Sequence, residues 1–225
     1  MKNCAVILAS GRAIRMSGVD KMIISVAGKP LISFSIEAFL NCKKFDQIFI
    51  TANDSNRDDI KEIVRRYSDD EIVVISGGVR RQDSVKCALD MISNTNVVAI
   101  HDGARPLVSE KIIVEGFDLA IKHGSAIPVV PIEDTVKEVS SGFEIIRTLD
   151  RGKIYRSQTP QFFDFDTLYC AHKKILGDAT DDAAMLEQIG YNPEIYYGDR
   201  KNIKITMPDD ILVAEAYLHG KISNE

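Results

Sequence analysis

The sequence predicts an α/β fold of three layers around a mostly parallel sheet. Three observations carry that prediction. Short apolar runs alternate with stretches of helical apolar spacing, the pattern of strands joined by covering helices. Residues with chemical character cluster just after the predicted strands, where open α/β sheets place their ligands. One stretch, Val136–Leu149, breaks the alternation with two extended runs around a turn.

The elements follow in order. Ala5–Leu8 is a first strand, and Leu31–Leu40 carries helical spacing. Gln47–Thr51 is a second strand, followed by a charged helix over about Asp58–Tyr67. Ile72–Ile75 reads as a strand, Ser84–Ile92 as a helix and Val97–Ile100 as a strand. Ser109 is placed to cap a helix running to about Lys122, because its hydroxyl can accept from the first free N–H groups. Ala126–Val130 is a fifth strand. In the stretch that breaks the pattern, Ser140-Ser141-Gly142 suits a hairpin turn. An isolated hairpin is marginal in water, so an arm at about 136–150 calls for a surface to pack on. A second subunit is the preferred surface, and a fold back onto the same domain is the other. The pattern resumes with Ile203–Thr206 as a strand and Pro208–His219 as a helix. With 225 residues the chain suits one domain over 1–225 with this appendage.

Composition excludes several classes. A net charge of −5 is wrong for a general nucleic-acid binder. Cys4, Cys42, Cys87 and Cys170 form no C-x-x-C pair. They read as free core thiols in a reducing cytoplasm rather than as disulfides or zinc ligands. No apolar run approaches the length of a membrane span, and the N-terminus lacks the apolar segment of a secretory signal. A cytoplasmic location is the expectation.

The first thirty residues hold the most informative chemistry. The strand opens into Ala9-Ser10-Gly11-Arg12-Ala13-Ile14-Arg15-Met16, followed by Lys21 and Gly28-Lys29-Pro30. Small residues let backbone N–H groups approach phosphates, and the cations neutralise them. This is neither a P-loop, since no Gly-Lys-Ser/Thr follows, nor a dinucleotide fingerprint, since only Gly11 of three glycines is present. Gly77-Gly78-Val79-Arg80-Arg81-Gln82-Asp83-Ser84 joins a strand to a helix. Its glycines permit backbone contact with a base or ribose, and Ser84 either bonds a base edge or caps the helix. His101-Asp102-Gly103-Ala104-Arg105-Pro106 puts a carboxylate at a strand end. It suits a sugar hydroxyl or a metal–phosphate group, or else an Asp102–Arg105 bridge that shapes the loop. Asp134-Thr135-Val136-Lys137 and Leu149-Asp150-Arg151 bracket the arm, and Gln158-Thr159-Pro160-Gln161 follows. Lys204 lies between Ile203 and Ile205, pointing oppositely to both, either toward solvent or toward an anion. Asp209 and Asp210 suit a helix start.

Taken together and in this order, these motifs resemble the cytidylyltransferases that act on 2-C-methyl-D-erythritol 4-phosphate. The resemblance runs from Ala5 to about Leu218. It implies a Rossmann-like nucleotidyltransferase fold with the arm exchanged in a homodimer. It also implies transfer of CMP from CTP to the substrate phosphate with release of pyrophosphate and the use of Mg²⁺. By matching position, Arg15, Lys21, Lys204 and Arg151 are the expected catalytic set. Ala9, Ser10, Gly11, Gly78, Ser84 and Asp102 are expected to hold the nucleotide. Arg105 and Thr135 are expected to orient the acceptor, with Asp102 beside them. Arg151 and Thr159 are expected to reach the acceptor phosphate across the dimer. No metal ligand is assigned, and no covalent nucleophile is needed. The opening loop departs from the family pattern. Ala13 stands for the usual second glycine, Met22 for a glutamine, and the span from Arg15 to Lys21 is one residue short. Two other readings remain open at this point: a ribitol 5-phosphate cytidylyltransferase, and a nucleotide-binding protein without catalysis.

Overall fold

The computed structural model describes residues 2–11, 20–67 and 71–220. The chain begins with β1 (Lys2–Leu8), a small hairpin of β2 (Ser25–Val26) and β3 (Lys29–Pro30), and α1 (Leu31–Asn41). It continues through β4 (Gln47–Ala52), α2 (Arg57–Val64), β5 (Ile72–Ser76) and α3 (Arg81–Leu89). Next come β6 (Thr95–Asp102), α4 (Glu110–His123), β7 (Ser125–Pro131), and the hairpin of β8 (Lys137–Val139) and β9 (Ile145–Thr148). The last part holds β10 (Tyr155–Ser157), β11 (Gln161–Asp164), α5 (Phe165–Lys174), α6 (Asp182–Gln188), β12 (Ile195–Tyr197) and α7 (Asp209–Leu218).

The main sheet runs β10-β7-β11-β6-β1-β4-β5, with β12 also paired to β7. Pairing is parallel from β6 through β1 and β4 to β5, and between β12 and β7. β11 lies antiparallel between β6 and β7, and β10 is antiparallel to β7.

The three layers follow from strand periodicity. Along β1 and the residue after it, Ala5, Ile7 and Ala9 join the core packed on α1, α2 and α4. Cys4, Val6 and Leu8 join the core packed on α3, α5 and α6. Side chains alternate across a strand, so a run that is apolar at every position is what a strand covered on both faces requires. A smaller cluster of Val26, Leu31, Ile205 and Ala214 seats α7 beside the β2–β3 hairpin.

Ser109 caps α4 as expected, its Oγ accepting from Ile112 N at 3.4 Å, and Gly124 ends that helix with φ of 81°. The arm is a hairpin whose turn closes through Ser140 N donating to Glu144 O at 2.9 Å. Phe143, just after the Ser140-Ser141-Gly142 turn, is left-handed at φ 62°.

Several expectations need correction. The helix expected over Ser84–Ile92 spans Arg81–Leu89, so Ser84 sits inside it and does not cap it. Asp83 instead accepts from Arg80 N at 3.0 Å, a carboxylate reaching back over the first turn. The charged helix stops at Val64 rather than near Tyr67. Ile203–Thr206 forms no strand; Ile205 N donates to Ala104 O at 2.8 Å and Ile205 is buried. Burial alone gives that segment a strand-like alternation. Cys4 and Cys42 are buried, Cys87 and Cys170 are half-buried, and all four are free thiols.

Candidate active site

A cleft of about 190 Å³ opens beyond the carboxyl ends of β1, β5 and β6. Its first corner joins the end of β1 to the β5–α3 turn. Ser10 Oγ lies 2.8 Å from Ser84 Oγ, which accepts from Gly78 N at 3.0 Å. A Cβ on Gly78 would collide with the Asp83 side chain and come within 2.8 Å of its carbonyl carbon. Glycine there lets the turn fold tightly onto the start of α3 and present backbone to the cleft. Ser10, Gly11, Gly78 and Ser84 therefore meet at one wall. Ala9 stands behind it. Its side chain is buried, its N–H donates to Thr51 O, and its carbonyl accepts from Asn56 Nδ2.

The floor centres on Asp102 at the end of β6. Asp102 Oδ2 accepts from Lys204 Nζ at 2.7 Å, and Oδ1 accepts from Arg81 Nε at 3.2 Å. The predicted Arg105 contact is longer, at 4.0 Å, while Arg105 Nη1 donates to Asn202 O at 2.7 Å. Burial alone would raise the Asp102 pKa, but the facing charges of Arg81 and Lys204 outweigh it and hold the carboxyl below its usual range. Of the two readings of Lys204, the anion-directed one describes its geometry.

A second cavity, of about 260 Å³, shares Arg81, Asp102 and Lys204 with the first. Its other walls include Arg105, Gln158, Thr159 and Asp181. Thr159 Oγ1 accepts from Asp102 N at 3.0 Å and lies 3.3 Å from His101 Nδ1. His101 Nε2 lies 3.3 Å from Ser35 Oγ. Burial pushes the His101 pKa down to about 3, so the ring is a neutral strut behind Asp102.

The other expected residues fall in distinct places. Lys21 lines the first cleft and donates from Nζ to Ile205 O at 3.1 Å. Met22, at the position of the family's glutamine, is buried at the cleft wall. Arg15 and Ala13 lie outside the described residues. Thr135 and Arg151 line neither cavity; both are exposed at the base of the arm, where Arg151 Nη1 donates to Glu133 O at 2.6 Å.

Sequence reasoning missed Arg81, although the β5–α3 motif contains it. It also missed Asp20, whose Oδ2 accepts from Asn56 Nδ2 at 2.7 Å and ties the end of the opening loop to the start of α2. Neither stands out by spacing, since both act through residues far along the chain.

The comparisons with known proteins fit this geometry. The family model of 2-C-methyl-D-erythritol 4-phosphate cytidylyltransferase matches residues 3–220. The chain belongs to that family. A relative of that description from Dehalococcoides mccartyi strain 195 is 40% identical over 215 residues, covering 95% of each chain. Another, from Clostridium acetobutylicum, is 39% identical and covers 96% of this chain and 97% of its own. Among solved structures, the 4-diphosphocytidyl-2C-methyl-D-erythritol synthase of Anaerococcus prevotii superposes with a TM-score of 0.87 at 28% identity, covering 97% of this chain and 96% of that one. The cytidylyltransferase of Thermus thermophilus gives a TM-score of 0.80 at 27% identity, over 97% of this chain and all of that one. The mostly parallel α/β architecture is that of these cytidylyltransferases.

Metal binding is limited by the donor set. Among the described residues no three His, Cys, Asp or Glu side chains are grouped to hold an ion. Both Asp102 oxygens already face cations. The described residues do not form a protein cage for Mg²⁺. No helix among the described residues is long and apolar enough to cross a membrane.

Proposed function

We propose that this chain transfers CMP from CTP to 2-C-methyl-D-erythritol 4-phosphate and releases pyrophosphate. The observation that carries this reading is the shared centre: two cavities meet at Arg81, Asp102 and Lys204. A nucleotide donor in the first cleft and a phosphate acceptor in the second would bring their reacting groups together there. In-line attack by the acceptor phosphate oxygen on the α-phosphorus forms one P–O bond and breaks the bond to pyrophosphate. Negative charge grows on the transferring group, so positioning and fixed cations supply the catalysis.

The residues divide by place. Ser10, Gly11, Gly78 and Ser84 cradle the nucleotide, the Gly77-Gly78 turn offering a close backbone wall to the base. Asp102 orients the ribose and acceptor hydroxyls. Lys21 and Lys204, with Arg15 from the opening loop, neutralise the phosphates. Arg105 and Thr159 face the acceptor. Mg²⁺, when bound, would be held mainly by the triphosphate, because it takes few protein ligands, and would supply charge neutralisation there.

A homodimer accounts for Thr135 and Arg151. The arm leaves Val139, Phe143, Ile145 and Ile146 exposed, Phe143 at 92%. The nearby sheet edge exposes Tyr155, Ile195 and Tyr197. Apolar surface of this extent favours a partner, and an arm laid across a second copy would carry Thr135 and Arg151 to that copy's acceptor cavity. The work of such an enzyme belongs in the cytoplasm.

The test is pyrophosphate release with CTP and Mg²⁺, offering 2-C-methyl-D-erythritol 4-phosphate or ribitol 5-phosphate. Release with the first acceptor alone is expected. Release with ribitol 5-phosphate alone, or with neither acceptor in a folded chain that binds CTP, overturns the proposal.

A further inference from the structure

We propose that Arg81 is a positioning residue of this site, holding the Asp102 carboxylate against the fold from a buried anchor at Asp182. The inference rests on the reading that Asp102 faces the bound nucleotide and acceptor. Arg81 is the first residue of α3 and borders both cavities. Its Nε donates to Asp102 Oδ1 at 3.2 Å, and its Nη1 donates to Asp182 Oδ2 at 2.6 Å. Asp182, the first residue of α6, has a wholly buried side chain, and its Oδ1 lies 3.0 Å from His172 Nε2 on α5. The chain His172–Asp182–Arg81–Asp102 thus crosses from three helices to the end of β6.

Two features favour positioning over simple packing. A buried carboxylate carries a desolvation cost, yet Asp182 touches neither cavity and serves no step of the transfer. Its evident role is to orient the guanidinium, whose planar fork fixes direction where an ammonium does not. The two cations on Asp102 are also unequal. The Lys204 side chain is 40% exposed and that of Arg81 is 25% exposed. Arg81 holds Asp102 from the protein side, leaving Lys204 to turn toward phosphate.

Among the described residues, the charged and titratable groups facing Asp102 are Arg81 from α3, Lys204 from the segment before α7, and Arg105 and His101 beside it in sequence. The experiment compares the wild type with Arg81→Met, Arg81→Lys and Asp182→Asn. It reads the Asp102 carboxyl by NMR titration, and kcat and KM for CTP separately. Arg81→Met is expected to raise the Asp102 pKa and to lower kcat about a hundredfold with KM for CTP changed less. Arg81→Lys should restore much of the pKa but little of the rate, because a point cation cannot bridge both carboxylates. An unchanged Asp102 pKa in Arg81→Met overturns the proposal. So does a wild-type rate in Arg81→Lys, which carries the test if Arg81→Met fails to fold. The NMR readout needs no turnover: a shifted pKa in a chain inactive toward CTP would refute the activity and leave the positioning standing.

Discussion

Replacing Lys204 with alanine tests the charge argument most directly. Its ammonium sits 2.7 Å from Asp102 at the junction of the two cavities. At an effective dielectric constant of about 20, two unit charges at that separation interact by about 6 kcal/mol. Half a further negative charge developing on the transferring phosphate at similar range would gain about 3 kcal/mol. That is a factor of roughly 10² in rate. Stability should change little. Lys204 is 40% exposed, and Asp102 keeps Arg81. A cost of about 1 kcal/mol is expected, because solvent screens the lysine end of the pair and the buried Asp102 keeps a second cation, which moves Tm by about 2–4 °C in a chain of this size. The assays are steady-state pyrophosphate release, calorimetric titration of CTP and a thermal melt. The expected pattern is a roughly 10²-fold fall in kcat with CTP affinity reduced less than about tenfold. A kcat within about threefold of wild type in a folded variant would refute the reasoning. A loss confined to CTP affinity would show that Lys204 binds the ground state alone.

Two more predictions rest on the same geometry. His101 is held neutral down to about pH 3, whereas an unfolded chain takes up its proton near 6.5. Protons therefore favour the unfolded state between those values, and this stability, present above 6.5, is lost as the pH falls toward 3. The loss at pH 5 relative to pH 8 should be about 2 kcal/mol by urea unfolding, and an unchanged difference in His101→Gln would remove His101 as the source. If acceptor sites are shared across a dimer, heterodimers of a Lys204→Ala subunit with an Arg151→Ala subunit should regain about half the wild-type activity, since one of two symmetric sites is then whole. Verified heterodimers without recovery would argue that Arg151 serves its own subunit.

The fold was largely legible because each strand from β1 to β7 in the main sheet announces itself as a short apolar run between polar turns. The same logic failed between Arg151 and Asn202. There β10, β11 and β12 are three or four residues long, too short for a period to declare itself, and they are strands because β6 and β7 offer open edges. Ile203–Thr206 failed in the opposite way, having a strand's alternation with no strand beside it. At the site, motif order along the chain singled out Ser10, Gly78, Ser84, Asp102 and Lys204, and the fold brings these five to one cleft. It gave Ser84 two readings, and the fold sets the capping one aside: Ser84 lies inside its helix and its hydroxyl meets Ser10 and Gly78, 74 and 6 residues away.

What the sequence by itself determined is therefore the layer architecture, the arm and the family chemistry. Hydrophobic periodicity acts locally, and a family's motifs persist as short ordered segments. What only the tertiary structure decided is which charges meet. Arg81 reaches Asp182 across 101 residues, and Lys204 reaches Asp102 across 102. Such pairs leave no periodic trace, because a side-chain contact over that separation is set by the sheet order and not by spacing along the chain.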